Sequence, residues 1–293
     1  MLEVRNVTKK FGDFTALKDL NMTIPRGAVY GLVGPNGAGK TTIIRHITGV
    51  LCPDSGAITL EGAAVYENPV TKRRIGYIAD DQFFFHSATI EDMRKFYRDL
   101  YPSFSQERFE KLATLFNLPR KGPIRKFSKG MKKQAAFWLV MSCQPELLVL
   151  DEPVDGLDPV MRRQILSVLM QDVAERGTTV LVSSHNLREL EDICDHVGIM
   201  HEGRMLLEKS LADMQGGTVK IQLMGEIPGA LTVLQRSETG RLTTAVVRAT
   251  AEEAEAILAE AELSYYEVLP LSLEEIFIYE LGGVNYEVKN LFV

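Results

Sequence analysis

The stretch Gly34-Pro35-Asn36-Gly37-Ala38-Gly39-Lys40-Thr41 decides the fold of this chain, and it fits the pattern G-x-x-x-x-G-K-[ST] in full. It follows a short apolar run, Val29 to Val33, that predicts a strand, and it leads through Thr42 into Ile43-Ile44-Arg45-His46-Ile47, a pattern that predicts a helix. Strand, glycine loop and helix in that order make a phosphate cradle. The glycines let successive backbone N–H groups turn inward, Lys40 reaches the outer phosphate oxygens, and the Thr41 hydroxyl is placed to meet a magnesium ion. The helix that starts at Lys40 aims the positive end of its dipole at the same point.

A second constellation lies about a hundred residues further along the chain. Leu147-Leu148-Val149-Leu150-Asp151-Glu152-Pro153 is an apolar strand that ends in two acids. A continuous apolar run of this kind is expected of a parallel strand buried on both faces. Asp151 then stands at the C-terminal end of a strand beside the phosphate loop, where a magnesium partner is wanted. Glu152 is next to it, placed to orient or deprotonate an attacking water.

Taken together and in order, the motifs resemble a known family, the ATP-binding subunits of ABC transporters, over about Leu2 to Lys209. Gly34 to Thr41 is similar to the Walker A loop, and Asp151 with Glu152 to Walker B and its catalytic glutamate. Gln82, in Ile78-Ala79-Asp80-Asp81-Gln82, stands where the family has its Q-loop glutamine, which touches magnesium and the attacking water and reports nucleotide state to the membrane subunits. Gly156-Leu157-Asp158-Pro159 resembles the D-loop, and His185, in Ser183-Ser184-His185, the switch histidine that contacts the γ-phosphate. Phe11 occupies the place of the aromatic residue that stacks on adenine, with Phe14 as a rival. The resemblance implies an α/β fold with a P-loop NTPase core, ATP as nucleotide, and Mg2+ held by Thr41, Gln82 and Asp151.

The signature segment, Phe127-Ser128-Lys129-Gly130-Met131, departs from the commonest family form, Leu-Ser-Gly-Gly-Gln. Ser128 and Gly130 are retained, and these are the two whose hydroxyl and backbone N–H approach the γ-phosphate at a helix N-terminus. Val154 replaces the usual Thr or Ser after Asp-Glu-Pro, a neutral change. In the family the signature of one subunit completes the nucleotide site of the other, so a single copy of each motif implies a homodimer or a heterodimer with a related ATPase subunit. The Ser-Lys-Gly-Met signature and the Ser272-Leu273-Glu274-Glu275-Ile276-Phe277 segment most resemble the exporter-like ABC-2 and bacitracin-resistance branch, and within it Ytr-type bacterial systems.

The rest of the chain sets the organisation. Its 293 residues exceed the roughly 100–200 residues of one domain, so two domains are expected. Strand and helix patterns alternate as far as Lys209, which argues for a parallel sheet carrying helices. Ile90 to Leu118 and the helix opening at Ser128 read as an inserted helical region, about residues 86–145. Near Gly216-Gly217 the character changes to half-exposed strands, Val219 to Leu223 and Thr244 to Arg248. Capping boxes follow at Thr250/Glu253 and at Ser272/Glu275, before Ile276-Phe277-Ile278. The expected division is therefore a nucleotide-binding domain over 1–215 and a small α+β accessory domain, with a dimerisation or regulatory role, over 216–293.

Charge and apolar content bound the partners. With 33 basic and 39 acidic residues the net charge is −6, which argues against nucleic acid as main partner. Cys52, Cys143 and Cys194 lack metal-ligand spacing and read as reduced, small core residues. The most hydrophobic run, Ala135 to Met141, is far short of the ~20 apolar residues that span a bilayer, and Leu2 to Val7 opens on a strand pattern rather than a leader. The family resemblance then implies transmembrane permease subunits as partners and a peripheral position at the cytoplasmic face of the membrane. The aromatic run Phe83-Phe84-Phe85 marks the surface that would meet them if it is exposed. A soluble ABC-type ATPase that remodels nucleic acid or ribosomes is the competing reading; it usually brings two cassettes, coiled coils or basic extensions, none of which is in this sequence.

Overall fold

The computed structural model describes residues 1–275 apart from 154–155, 186–187, 192, 212, 214–216 and 262. The chain divides into two compact units, Met1–Glu208 and Lys209 onward. In chain order the elements are β1 (Leu2–Phe11), β2 (Phe14–Ile24), β3 (Val29–Val33), α1 (Lys40–Ile47), β4 (Ser55–Leu60), β5 (Ala63–Ala64), α2 (Pro69–Lys72), β6 (Ile75–Ile78), α3 (Ile90–Leu100), α4 (Gln106–Phe116), α5 (Lys129–Ser142), β7 (Leu147–Asp151), α6 (Pro159–Arg176), β8 (Thr179–Ser184), α7 (Arg188–Glu191), β9 (His196–His201), β10 (Arg204–Ser210), β11 (Val219–Met224), β12 (Thr232–Thr239), β13 (Leu242–Arg248), α8 (Ala251–Ala259) and β14 (Tyr265–Leu269).

The first unit is built on a six-stranded sheet of order β10-β9-β3-β8-β7-β6. The pairs β9–β3, β3–β8, β8–β7 and β7–β6 are all parallel. Every residue of β3, β7 and β8 is buried, which is why these strands read as unbroken apolar runs. A second, antiparallel sheet of order β2-β1-β4-β5 lies in the same unit. Ile43, Ile44 and Ile47 of α1 join one core with Leu2, Leu17 and Leu60 of the antiparallel sheet and Leu32 and Val149 of the parallel one. The phosphate loop is thus fixed at both ends, by a buried strand and by a helix packed into the main core.

Between the neighbouring parallel strands β6 and β7, where one crossover helix would suffice, the chain inserts α3, α4 and α5. Each has a side-chain N-cap. Thr89 and Asp92 form a capping box before α3, Ser105 accepts from the Arg108 N–H before α4, and Ser128 accepts from the Met131 N–H before α5. The insert has its own core, in which Phe109 and Trp138 stack at 4.7 Å and the Trp138 indole N–H donates to the Phe109 carbonyl at 2.7 Å. The Arg120 guanidinium lies 5.3 Å and 5.4 Å from those two ring centroids. Of the three cysteines, Cys143 and Cys194 are buried as the composition suggests, but Cys52 is exposed, because it follows the end of α1 on an outer turn.

The second unit is an antiparallel sheet of order β12-β13-β11-β14. Val219, Ile221 and Leu223 alternate inward from β11 and pack with Ala245, Val247, Ala254 and Leu258. Thr250 and Glu253 form the capping box of α8. Ser272 and Glu275 form a second one, with the Ser272 N–H donating to Glu275 Oε2 at 2.8 Å and the Glu275 N–H to Ser272 Oγ at 3.2 Å. The Ile276-Phe277-Ile278 segment after it, like Val154, lies outside the described residues.

Trp138 carries the insert, so Trp138→Ala is expected to lower unfolding stability by about 3–5 kcal/mol, checked by urea denaturation of the full chain.

Candidate functional site

Lys40 is the centre of the site. Gly39 is the N-cap of α1 at φ 105°, a conformation that only glycine takes readily, and no side chain caps the helix and no acid sits in its first turn. The N–H groups of that turn are therefore left for an anion. At Gly34 an added Cβ would strike the Met200 carbonyl, so the loop lies against β9 without a side chain between. The Lys40 side chain is only 8% exposed. Its ammonium donates to the Gly34 carbonyl at 2.5 Å and to the Pro35 carbonyl at 3.4 Å, and stands 3.9 Å from Glu152 Oε1. Burial pushes the Lys40 pKa down, while Glu152 and Asp151 push it back up. A bound phosphate would add to the second effect.

The acids come from the neighbouring strands. Asp151 ends β7, is 2% exposed, and accepts a hydrogen bond from Ser183 Oγ at 2.6 Å. Its neighbour Glu152 is left-handed, with φ 48°. The Glu152 N–H donates to the Ser183 carbonyl at 3.3 Å and to Ser183 Oγ at 3.2 Å, and the Glu152 carbonyl accepts from Lys133 Nζ at 2.7 Å. This backbone sends the carboxylate between Lys40 and His185, whose Nδ1 is 3.0 Å from Glu152 Oε2. On β6, burial and the Asp151 charge push the Tyr77 pKa up to about 12.

These groups enclose a cleft of about 350 Å3 lined by Pro35, Asn36, Gly37, Ala38, Gly39, Lys40, Thr41, Thr42, Asp80, Asp151 and Glu152, with Phe14 and Ala16 at one side. Phosphate donors, two buried or half-buried carboxylates and a histidine thus converge at the C-terminal ends of β3, β6, β7 and β8.

Known proteins resemble this chain, one of them along nearly its whole length. The model of the family described as "ABC transporter" matches residues 17–155. The ABC transporter ATP-binding protein YtrB of Bacillus subtilis (strain 168) is 31% identical over 97% of this chain and 99% of its own length. The chain belongs to the ATP-binding proteins of ABC transporters. The bacitracin transport ATP-binding protein BcrA of Enterococcus faecalis is 34% identical over 73% of the chain and 70% of its own length, in keeping with the ABC-2 and bacitracin-resistance branch. A solved ATP-binding subunit of an ABC transporter superposes with a TM-score of 0.68 at 31% identity, covering 73% of this chain and 92% of that one. The chain is accordingly an ATPase, and the α/β P-loop fold expected of the sequence is the fold found.

Within this ABC cassette the sequence motifs fall into two groups. Walker A, Asp151 and Glu152 line the cleft, and His185 joins them through Glu152 without lining it. Ser128, Gly130 and Asp158 do not line it. Ser128 is exposed at the N-cap of α5, the Gly130 backbone packs on the Gly156 carbonyl, and Asp158 caps α6 by accepting from the Val160 and Met161 N–H groups. Two neighbours differ from the sequence reading. Asp80 lines the cleft where Gln82 is expected, because the chain turns beyond β6 and the Gln82 amide donates to the Ala79 carbonyl. Phe14 lines the cleft while Phe11, its partner across the β1–β2 hairpin, does not, although both rings are exposed, 49% for Phe11 and 64% for Phe14.

A magnesium ion fits the donor set. Thr41, Asp80 and Asp151 offer a hydroxyl and carboxylates, the hard oxygen ligands that Mg2+ prefers. Among the described residues no group of three or more His, Cys, Asp or Glu side chains could hold a metal ion; Mg2+ usually keeps several waters and is bound through one or two carboxylates together with substrate phosphates. Sequence reasoning missed Asp80, Ser183 and Lys133. The available signal for Asp80 was its place two residues beyond a parallel strand, beside Asp151.

Lys40→Ala is expected to weaken nucleotide binding about 10- to 100-fold, as loss of charge-assisted hydrogen bonds of about 1.5–3 kcal/mol requires, checked by titration with a fluorescent ATP analogue.

Proposed function

We propose that the cleft is one half of a shared ATP site whose closing and opening drives a membrane permease. The observation that supports this is the separation of the motifs: the phosphate loop and acids face one cleft, while Ser128, Gly130 and Asp158 stand outside it. In a dimer, ATP would lie between Lys40 of one subunit and Ser128 of its partner, which is open to solvent at a helix N-terminus. The partner is a second copy or a related ATPase subunit.

In this reading the N–H groups of Gly37 and of Gly39 to Thr42 and the Lys40 ammonium bind the phosphates, and Phe11 stacks on adenine at the tip of the β1–β2 hairpin with Phe14 beside it. Glu152 orients and deprotonates the attacking water, and His185, hydrogen-bonded to Glu152, contacts the γ-phosphate and holds that carboxylate in place. Thr41, Asp151 and Asp80 would hold magnesium, with Gln82 in the same loop, and the ion would neutralise phosphate charge and align the β and γ oxygens. Hydrolysis removes the group that both subunits grip, so the dimer opens.

For the permease, the supporting feature is an exposed aromatic row. Phe83 is 84%, Phe85 50% and Phe96 42% exposed, and the rings meet edge to face at 6.1 Å and 5.3 Å. Such rings anchor interfaces, and this row starts one residue after Gln82. No helix among the described residues is long and apolar enough to cross a membrane; from the relatives, which are ATP-binding proteins of transporters, we assign the chain a peripheral position at the cytoplasmic face. We also assign 1–215 as the cassette, with 86–145 as its helical subdomain, and 216–293 as an accessory domain for dimerisation or regulation. The soluble remodelling ATPase gains no support from the relatives, which are transport proteins.

Glu152→Gln is expected to leave only a small residual turnover and to hold an ATP-bound dimer, read by phosphate release and size-exclusion chromatography; full turnover would remove Glu152 from the mechanism. Purification from native membranes should bring down a multi-span subunit, and recovery of ribosomes or DNA instead contradicts the permease reading.

A further inference from the structure

Lys133 is a lysine where a lysine is expensive. Its side chain is 0% exposed, in the first half of α5, the helix capped by Ser128. An ammonium withdrawn from water must find strong partners, and here it reaches the Glu152 carbonyl at 2.7 Å and Asp80 Oδ1 at 3.5 Å. Lys129, one turn earlier on the same helix, also approaches Asp80, at 3.6 Å, but it is 64% exposed and that pair is screened.

The carbonyl it holds belongs to the most constrained residue of the site. Glu152 is left-handed, which residues with a Cβ seldom are, and it precedes Pro153, whose ring further narrows the conformations open to it. Such a backbone persists only where its surroundings over-determine it. Ser183 holds the N–H side and Lys133 the carbonyl side. Without the cation the Glu152 carbonyl loses its 2.7 Å hydrogen bond, and the carboxylate is held less firmly in its place between Lys40 and His185.

We propose that Lys133 is a positioning residue: its buried ammonium fixes the Glu152 peptide, and so aims the Glu152 carboxylate from the same helix that presents the signature serine. This rests on Glu152 acting on the attacking water, as proposed above. A consequence is that movement of α5, when Ser128 engages a partner's nucleotide, reaches the Glu152 backbone through one side chain.

The test uses the full chain, with ATP turnover and affinity for a fluorescent ATP analogue measured together. Lys133→Met keeps most of the buried stem and removes the charge. It is expected to lower kcat about tenfold or more while KM and analogue affinity stay within about twofold. Because both act through one carboxylate, Glu152→Gln/Lys133→Met should be no slower than Glu152→Gln alone. Unchanged kcat, multiplicative effects in the double variant, or parallel loss of nucleotide affinity each overturn the proposal. If Lys133→Met does not fold, Lys133→Gln, which retains an N–H donor without the charge, is judged by the same two criteria. Full turnover in Glu152→Gln would overturn the base assignment itself, whereas a defective Glu152→Gln whose effect multiplies with Lys133→Met overturns only the role of Lys133.

Discussion

The site depends on the parallel register of three strands. Val33 pairs with Ser184 and Asp151 with Ser183, so β3, β8 and β7 end level with one another. The residue after each end then falls in the same place: the phosphate loop after Val33, Glu152 after Asp151, His185 after Ser184. None of these groups is close to another in sequence, and only the register brings them together. A slip of one residue would turn Asp151 to the opposite face of the sheet and remove its bond with Ser183.

The level strand ends collect opposite charges in a half-buried space, and the local structure answers that. Lys40 rests on the Gly34 and Pro35 carbonyls, which partly stand in for phosphate oxygens, and Glu152 lies within 3.9 Å of it. Asp151 is steadied by the Ser183 hydroxyl. Glu152, forced left-handed to reach the cleft, is held at its N–H by Ser183 and at its carbonyl by Lys133. The helical insert is thereby tied to the chemistry through α5, whose own core of Trp138 and Phe109 makes it a stiff arm rather than a loose appendage. In the proposed reading these contacts couple nucleotide state to the position of the signature helix.

Local patterns carried much of this. The phosphate loop, the apolar strand into Asp151 and Glu152, the capping residues Ser128 and Thr250, and the alternation of β11 are all written in neighbouring residues, and the structure has each of them. What was not legible depends on how distant pieces meet. Lys133 stands beside Lys132 and one turn from Lys129 in the sequence, with nothing local to mark it as buried; the packing of α5 near β6, with Asp80 and the Glu152 carbonyl as partners, buries it. Asp80 lies in a turn, where side-chain direction follows from no periodicity. The strand β12 shows no alternation because all of its residues are exposed at the sheet edge.

The central claim, that one chain supplies half of each of two ATP sites, is tested most directly by mixing two inactive variants. Lys40→Ala lacks the phosphate loop's cation and Ser128→Ala lacks the signature hydroxyl, and each is expected to hydrolyse ATP poorly alone. In a mixture, subunits that exchange form dimers with one site intact, made from the Lys40 of one chain and the Ser128 of the other. Recovery of ATPase activity on mixing is the result this account predicts; a mixture no more active than its components, with exchange verified, would contradict it.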